Sequence, residues 1–244
     1  MCGIVGILEP VQPITELREV AVRLARTLRH RGPDWSGVYT CDKAVLAHER
    51  LSIVDVEHGA QPLLSPNGKV ALAVNGEIYN HKELEKGLRP GYNFATASDC
   101  EVILPLYLQR GADFLNDLNG IFAFVLHDAA QNRFLIARDP MGVVPLYWGR
   151  DDKGQLYVAS ELKALSPVCR QFHDFPPGHF WDSAVGEIKP YYKPAWRDYP
   201  AVQGKAIQPE QIRAALEAAV HRQLMCDVPY GVLLSGGLDS SVIS

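Results

Sequence analysis

The chain has 244 residues, 47% of them hydrophobic and 21% charged, with 24 Lys+Arg against 28 Asp+Glu for a formal charge of -4. Those proportions exclude a disordered or fibrous chain, and the basic residues are too scattered to form a footprint for nucleic acid or an anionic membrane. No apolar run approaches the ~20 residues that span a bilayer, and the N-terminus lacks the basic-then-apolar layout of a signal peptide, so a cytoplasmic setting is expected.

Residues 2–8 form a short, partly β-branched apolar run that reads as a buried strand, closed by Pro10 and Pro13. From Thr15, the three- and four-residue spacing of Leu17, Val20, Leu24 and Leu28 predicts an amphipathic helix ending near Arg29. Strand-like runs follow at 44–47, 70–74, 121–126, 134–137 and 156–159, separated by turn residues such as Pro66-Asn67-Gly68. Ser98-Asp99-Cys100-Glu101 has the spacing of a capping box and predicts a helix from Ser98 to Gly111. This pattern gives an α+β domain to about Pro190. Residues 191–208 are rich in proline and aromatics without a period and read as an extended linker. Beyond it, Ile212, Leu216, Val220 and Leu224 mark a second amphipathic helix, and residues 230–234 read as an apolar strand feeding a glycine turn. That is the opening of an α/β domain, 209–244, which the chain does not complete. Five cysteines, odd in number and without a CxxC pair, argue against a disulfide framework or zinc knuckle. The eight histidines include no HExxH pair, so no metal site is expected.

Cys2 stands apart by position. If Met1 is removed, one residue carries both a thiol and a free α-amine, and the amine's reference pKa of ~7.7–8.0 suits it to take the thiol proton near neutrality. From Met1-Cys2-Gly3 alone, a cysteine that merely opens a buried strand is the simpler account. The wider constellation changes the balance: Arg29-His30-Arg31-Gly32-Pro33-Asp34, His48-Glu49-Arg50-Leu51-Ser52-Ile53-Val54-Asp55, Asn75-Gly76-Glu77-Ile78-Tyr79-Asn80 and Ser98-Asp99. With Met1-Cys2-Gly3-Ile4, these segments resemble the glutaminase domain of class II glutamine amidotransferases, and over the whole length the glutamine-hydrolysing asparagine synthetase family of bacterial type.

The residues also have readings of their own. Asn75-Gly76 follows the run 70–74, so an amide and a backbone N–H are expected off a strand end as an oxyanion hole, although Asn-Gly is also a common turn dipeptide. Arg50 offers a planar fork suited to a carboxylate, or to a surface ion pair. Asp99 suits either a ligand or its own helix terminus. The resemblance implies an N-terminal-nucleophile αββα sandwich over residues 2–190 with Cys2, Asn75 and Gly76 as catalytic residues. It places the α-carboxylate of glutamine on Arg50, the ammonium near Glu77 and Asp99, and Leu51, Ser52, Ile53 and Val54 along the same pocket, largely through backbone. Residues 29–34 are expected to fold over bound substrate. The Arg138–Gly142 stretch is expected to be structural.

Residues 230–241 read as strand, small-residue turn and helix start, converging backbone N–H groups where an anion can bind. The turn lacks a Walker GK[ST] element and resembles the SGGxDS pyrophosphate loop of ATP pyrophosphatases. That resemblance implies ATP contacts at Leu233, Ser235, Gly236, Gly237, Asp239 and Ser240, with ATP, Mg and aspartate as requirements of the complete synthetase, no cofactor for glutamine hydrolysis, and a homodimer as one assembly. Because the second domain is incomplete, the chain is expected to hydrolyse glutamine without making asparagine, and residues 205–244 to be mobile or sticky in isolation. The rival readings are another class II amidotransferase, a β-lactam-synthetase-like enzyme, or a non-catalytic interaction domain that retains Met1.

Overall fold

In the computed structural model, which describes residues 1–204, 206 and 208–244, the chain divides into Met1–Tyr192 and Lys193–Ser244. The first unit contains twelve strands, β1 (Gly3–Leu8), β2 (Trp35–Cys41), β3 (Ala44–Arg50), β4 (Leu63–Leu64), β5 (Val70–Ile78), β6 (Gly120–Asp128), β7 (Arg133–Arg138), β8 (Tyr147–Arg150), β9 (Leu156–Ala159), β10 (Gln171–Asp174), β11 (His179–Asp182) and β12 (Ile188–Pro190). They form two six-stranded sheets in the orders β10-β8-β9-β1-β3-β2 and β12-β11-β7-β6-β5-β4, every pair antiparallel. The helices are α1 (Ile14–Arg26), α2 (His81–Lys86), α3 (Ile103–Arg110) and α4 (Leu162–Leu165).

Three apolar clusters define the layers. Alternate residues of a strand face opposite sides, so Ile4 and Leu8 enter the cluster between the sheets with Leu46, Ala73, Val125 and Ile136. Val5 and Ile7 turn outward onto Leu17, Ala21 and Leu24 of α1. On the far side, Leu72, Val74, Phe122 and Phe124 pack on Ile103, Leu106 and Tyr107 of α3. The order is helix, sheet, sheet, helix. Central strands covered on both faces explain why they read as continuous apolar runs instead of alternating ones.

Three further expectations meet the structure here. No capping box forms at Ser98: residues Asp99–Val102 make a 3-10 turn before α3, and Ser98 makes no side-chain cap. Glu101 spends its carboxylate on the Ala95 and Thr96 N–H groups, both 2.8 Å away. Residues 29–34, expected to fold over bound substrate, are tied to the end of β3. Asp34 N–H donates to Arg50 O (3.0 Å), and a Cβ on Gly32 would collide with the Glu49 carbonyl. The Arg138–Gly142 turn is structural, as expected: Asp139 collects the N–H groups of Met141, Val143 and Val144, each at 3.0 Å.

The second unit holds α5 (Tyr199–Val202), α6 (Pro209–Gln223) and α7 (Leu238–Ile243). The predicted second helix is therefore present as α6. Residues 230–234 are not a strand, because a lone segment has no ladder partner and this unit contains no other strand among the described residues. Leu233 is 95% exposed.

Candidate active site

The site lies where β1 begins, β3 ends and one edge of β5 runs free. Cys2, Arg50, Leu51, Ile53, Val54, Asn75, Gly76, Glu77 and Asp99 all line one pocket, joined by Met1, Gly59, Gln61, Ser98, Cys100 and Ile121. Cys2 and Asn75, far apart in sequence, meet because β1 and β3 are neighbours in one sheet and β5 packs opposite them in the other.

Cys2 is fixed from two sides. Its Sγ accepts Leu51 N–H at 3.3 Å, and its carbonyl accepts Arg31 Nε–H at 2.9 Å. Arg31 is held in turn by Glu161 at 2.8 Å. Burial alone would raise the Glu161 pKa, but hydrogen bonds from Arg31, Lys163 and His30 hold it at about 2. With Met1 attached, burial pushes the Cys2 thiol up, opposed by Leu51 N–H, the chain's amino terminus and the Arg50 and Arg31 charges.

Asn75 and Gly76 do not lie off a strand end. They sit inside β5, opposite Ala123 and Phe122 of β6. They can still face a ligand because β4 is only two residues long, pairing Leu63 and Leu64 with Leu72 and Ala71. From Val74 onward that edge has no strand beside it. Alternate residues present N–H and C=O to one edge, so Val74, Gly76 and Ile78 all present theirs there, and side chains replace the missing strand. Gln61 Oε1 accepts Val74 N–H and His48 Nε2–H donates to Val74 O, both at 2.9 Å. Cys100 Sγ–H donates to Gly76 O (3.5 Å), Asp99 Oδ2 accepts Ile78 N–H (2.6 Å), and His81 Nδ1–H donates to Ile78 O (3.0 Å). The remaining group on this edge, Gly76 N–H, belongs to a residue that lines the pocket. A side chain at this position is excluded, since a Cβ would strike the Ile121 carbonyl. Beside it, the fully buried Asn75 has neither Nδ2 nor Oδ1 paired. Buried polar groups without partners are rare, so two orphaned amide atoms beside the Gly76 N–H at one pocket describe a site built for a polar ligand.

Arg50 is placed as expected, but its fork is partly spent. Nη2 donates to Val54 O (2.9 Å) and Asp55 O (2.6 Å), and Nη1 to Val56 O (3.1 Å). Both two-toothed edges of a guanidinium include Nη2, so a carboxylate meets single N–H groups unless a loop carbonyl gives way. Asp99 keeps one carboxylate oxygen beyond its bond to Ile78. Burial raises its pKa against that bond, and burial followed by the Asp99 charge raises that of Glu77. Two carboxylates, both destabilised as anions, fit a cation. Ser52 is not brought to the pocket: its N–H is taken by Asp34 Oδ2 at 2.8 Å, and it faces a neighbouring hollow with Trp35 and Val56. Gln61 and Cys100 are pocket residues that sequence reasoning missed. In the second unit, Ser235 Oγ lies 2.9 Å from Ser240 Oγ and Gly236 adopts φ 79°, so the loop carrying Ser235, Gly236, Gly237, Asp239 and Ser240 turns tightly into α7.

The sequence model of the glutamine amidotransferase domain matches residues 1–182, and that of asparagine synthase matches residues 211–244. The chain therefore belongs to the glutamine amidotransferase domain family. Glutamine phosphoribosylpyrophosphate amidotransferase from B. subtilis shares its architecture at a TM-score of 0.63 and 24% identity, over 77% of this chain and 48% of that one. An allosteric regulatory enzyme of purine biosynthesis does so at 0.65 and 24%, with the same coverage. The shared fold is the αββα sandwich, two antiparallel sheets between helical layers. Among curated relatives, asparagine synthetase B (glutamine-hydrolyzing) of Escherichia coli is 55% identical over all of this chain and 44% of its own length. A probable asparagine synthetase of Schizosaccharomyces pombe is 48% identical, again over 100% of this chain and 44% of the relative. The chain spans less than half the length of these relatives.

Proposed function

We propose that this chain is the glutamine-hydrolysing part of an asparagine synthetase. The observation that carries the reading is the meeting of the Cys2 thiol with the unpaired Asn75 amide and Gly76 N–H in one pocket. While Met1 is attached, the Cys2 nitrogen is a peptide amide and cannot act as a base. Its removal frees an amine next to the thiol. Sγ then attacks the side-chain carbonyl carbon of glutamine, and the carbonyl electron pair moves onto oxygen, facing Asn75 Nδ2 and Gly76 N–H. The amine takes the thiol proton and delivers it to the leaving nitrogen, so ammonia departs and a glutamyl thioester remains. Water attacks the thioester and releases glutamate. Arg50, Glu77 and Asp99 hold the amino-acid end of the substrate, with Leu51, Ile53 and Val54 along the wall; Ser52 contributes through the loop it anchors. Metal ions have no part in this half-reaction.

In the whole enzyme, the loop at Ser235, Gly236, Gly237, Asp239 and Ser240, with Leu233 before it, would meet the phosphates of Mg-ATP, and ammonia would be used to amidate aspartate. A cytoplasmic homodimer is the setting this reading carries. Replacing Cys2 by Ala tests the glutaminase: release of glutamate from glutamine should fall to background while the thermal melt is retained. Undiminished hydrolysis by Cys2→Ala would contradict it, and an unmodified protein that retains Met1 and releases no glutamate would favour the interaction-domain alternative.

A further inference from the structure

We infer that His48, Gln61 and Cys100 act together as a substitute strand that sets the position of the oxyanion-binding segment Asn75-Gly76, which makes His48 and Cys100 positioning residues for the reaction proposed above. The inference rests on that glutaminase reading for its kinetic consequences and on the β5 edge for its geometry. Where β4 stops, Val74 and Gly76 lose the partner that would hold a strand in register. Val74 instead receives one acceptor and one donor, Gln61 Oε1 on its N–H and His48 Nε2 on its carbonyl, both at 2.9 Å. These two bonds reproduce what one residue of a neighbouring strand would supply. Cys100 repeats the donor half one step along, on Gly76 O at 3.5 Å.

His48 itself lies in β3 of the opposite sheet, so its bond ties the strand that leads into Arg50 and Leu51 to the strand that carries Asn75. A carbonyl only accepts, so His48 Nε2 carries the hydrogen, and its Nδ1 is buried without a partner. An imidazole that accepts an orphaned nitrogen for the sake of one cross-sheet bond marks that bond as the constraint at this position. His48 does not line the pocket and touches no substrate. Its influence on chemistry passes through Val74 to the adjoining Asn75.

The test uses the full chain with Met1 removed and compares His48→Phe with His48→Gln, and Cys100→Ala with Cys100→Ser; the second member of each pair keeps a donor. Glutamate γ-semialdehyde is the probe. The Cys2 sulfur adds to its aldehyde carbon, the carbonyl pair moves to oxygen, and the resulting hemithioacetal oxygen occupies the oxyanion position. Glutamate, which forms no such adduct, is the control. His48→Phe and Cys100→Ala should lower kcat and weaken semialdehyde inhibition by ~10–100-fold while glutamate inhibition changes by less than about 2-fold. His48→Gln and Cys100→Ser should recover most of the loss. Equal weakening of both inhibitors, or no weakening of either, in a protein whose parent is active would overturn the inference. Hydrogen exchange of the peptide covering residues 70–78 gives an arm independent of activity: exchange must quicken in His48→Phe or Cys100→Ala, and unchanged exchange in both would sink the substitute strand. An inactive parent with quickened exchange in the variants would instead count against the glutaminase reading alone.

Discussion

Asn75 lies in the interior with both ends of its amide unpaired, a state that costs about 1–3 kcal/mol per buried group until something supplies partners. Its replacement by Ala should therefore separate catalysis from stability. The turnover of glutamine should drop ~10²–10³-fold, the range seen when an oxyanion donor is deleted, while the melting temperature does not fall, because the substitution removes two unsatisfied atoms along with the side chain. Steady-state kinetics and a thermal melt on one preparation check both halves; a stable variant with full turnover contradicts the assignment. Cys2 and Asn75-Gly76 offer local chemistry in the sequence, but each has a plainer reading alone, and it is the family resemblance that singles them out and adds Glu77 and Asp99. Gln61 and Cys100 were not legible there. Their task is to satisfy backbone groups of β5, and nothing near them in sequence reveals that β4 ends at Leu64 and leaves that edge open.

At the scale of elements, β5 and the turn at Asp99 place two carboxylates around the position proposed for the substrate ammonium. Burial raises the pKa of Asp99, and burial with the Asp99 charge raises that of Glu77. Carboxylates with raised values hold protons further up the pH scale, and a cation favours their ionised form. Glutamine binding at mildly acidic pH should thus expel protons. Calorimetry of the Cys2→Ala protein in buffers of different protonation enthalpy reads this directly, and proton uptake on binding would contradict the placement. The main strands were readable from their apolar runs, with the centres of β3, β5, β6, β7 and β9 falling where expected. Strands β8, β10, β11 and β12 are three or four residues each and broken by polar or charged residues, whereas β9, equally short, is an unbroken apolar run. The segment 230–234 shows the opposite limit: an apolar run specifies a strand only when a partner exists.

For the whole molecule, periodicity supports only an α+β domain, and the αββα order came from family resemblance; the three stacked apolar clusters supply its physical basis. His48 links the two sheets and makes the sandwich sensitive to acid. Burial first, with Arg50 adding to it and the Val74 bond opposing, lowers its pKa from 6.5 to about 4. The folded state thus keeps His48 neutral where the unfolded state takes up a proton. Its contribution is fully present above pH 6.5 and is lost as pH falls towards 4, by up to about 3 kcal/mol. Denaturant unfolding at pH 7 and pH 4.5 should show a loss in the parent that His48→Gln lacks. An equal pH dependence in both proteins would count against a buried neutral imidazole.

The account depends most on a sulfur and a free amine sharing one residue. Acid-quenching the protein during turnover of glutamine and mapping its N-terminal peptide by mass spectrometry tests this directly. The predicted peptide begins at Cys2, without Met1, and carries the mass of one glutamyl group on sulfur. Active protein whose N-terminal peptide still begins with Met1, or whose glutamyl group sits on any other residue, would contradict it.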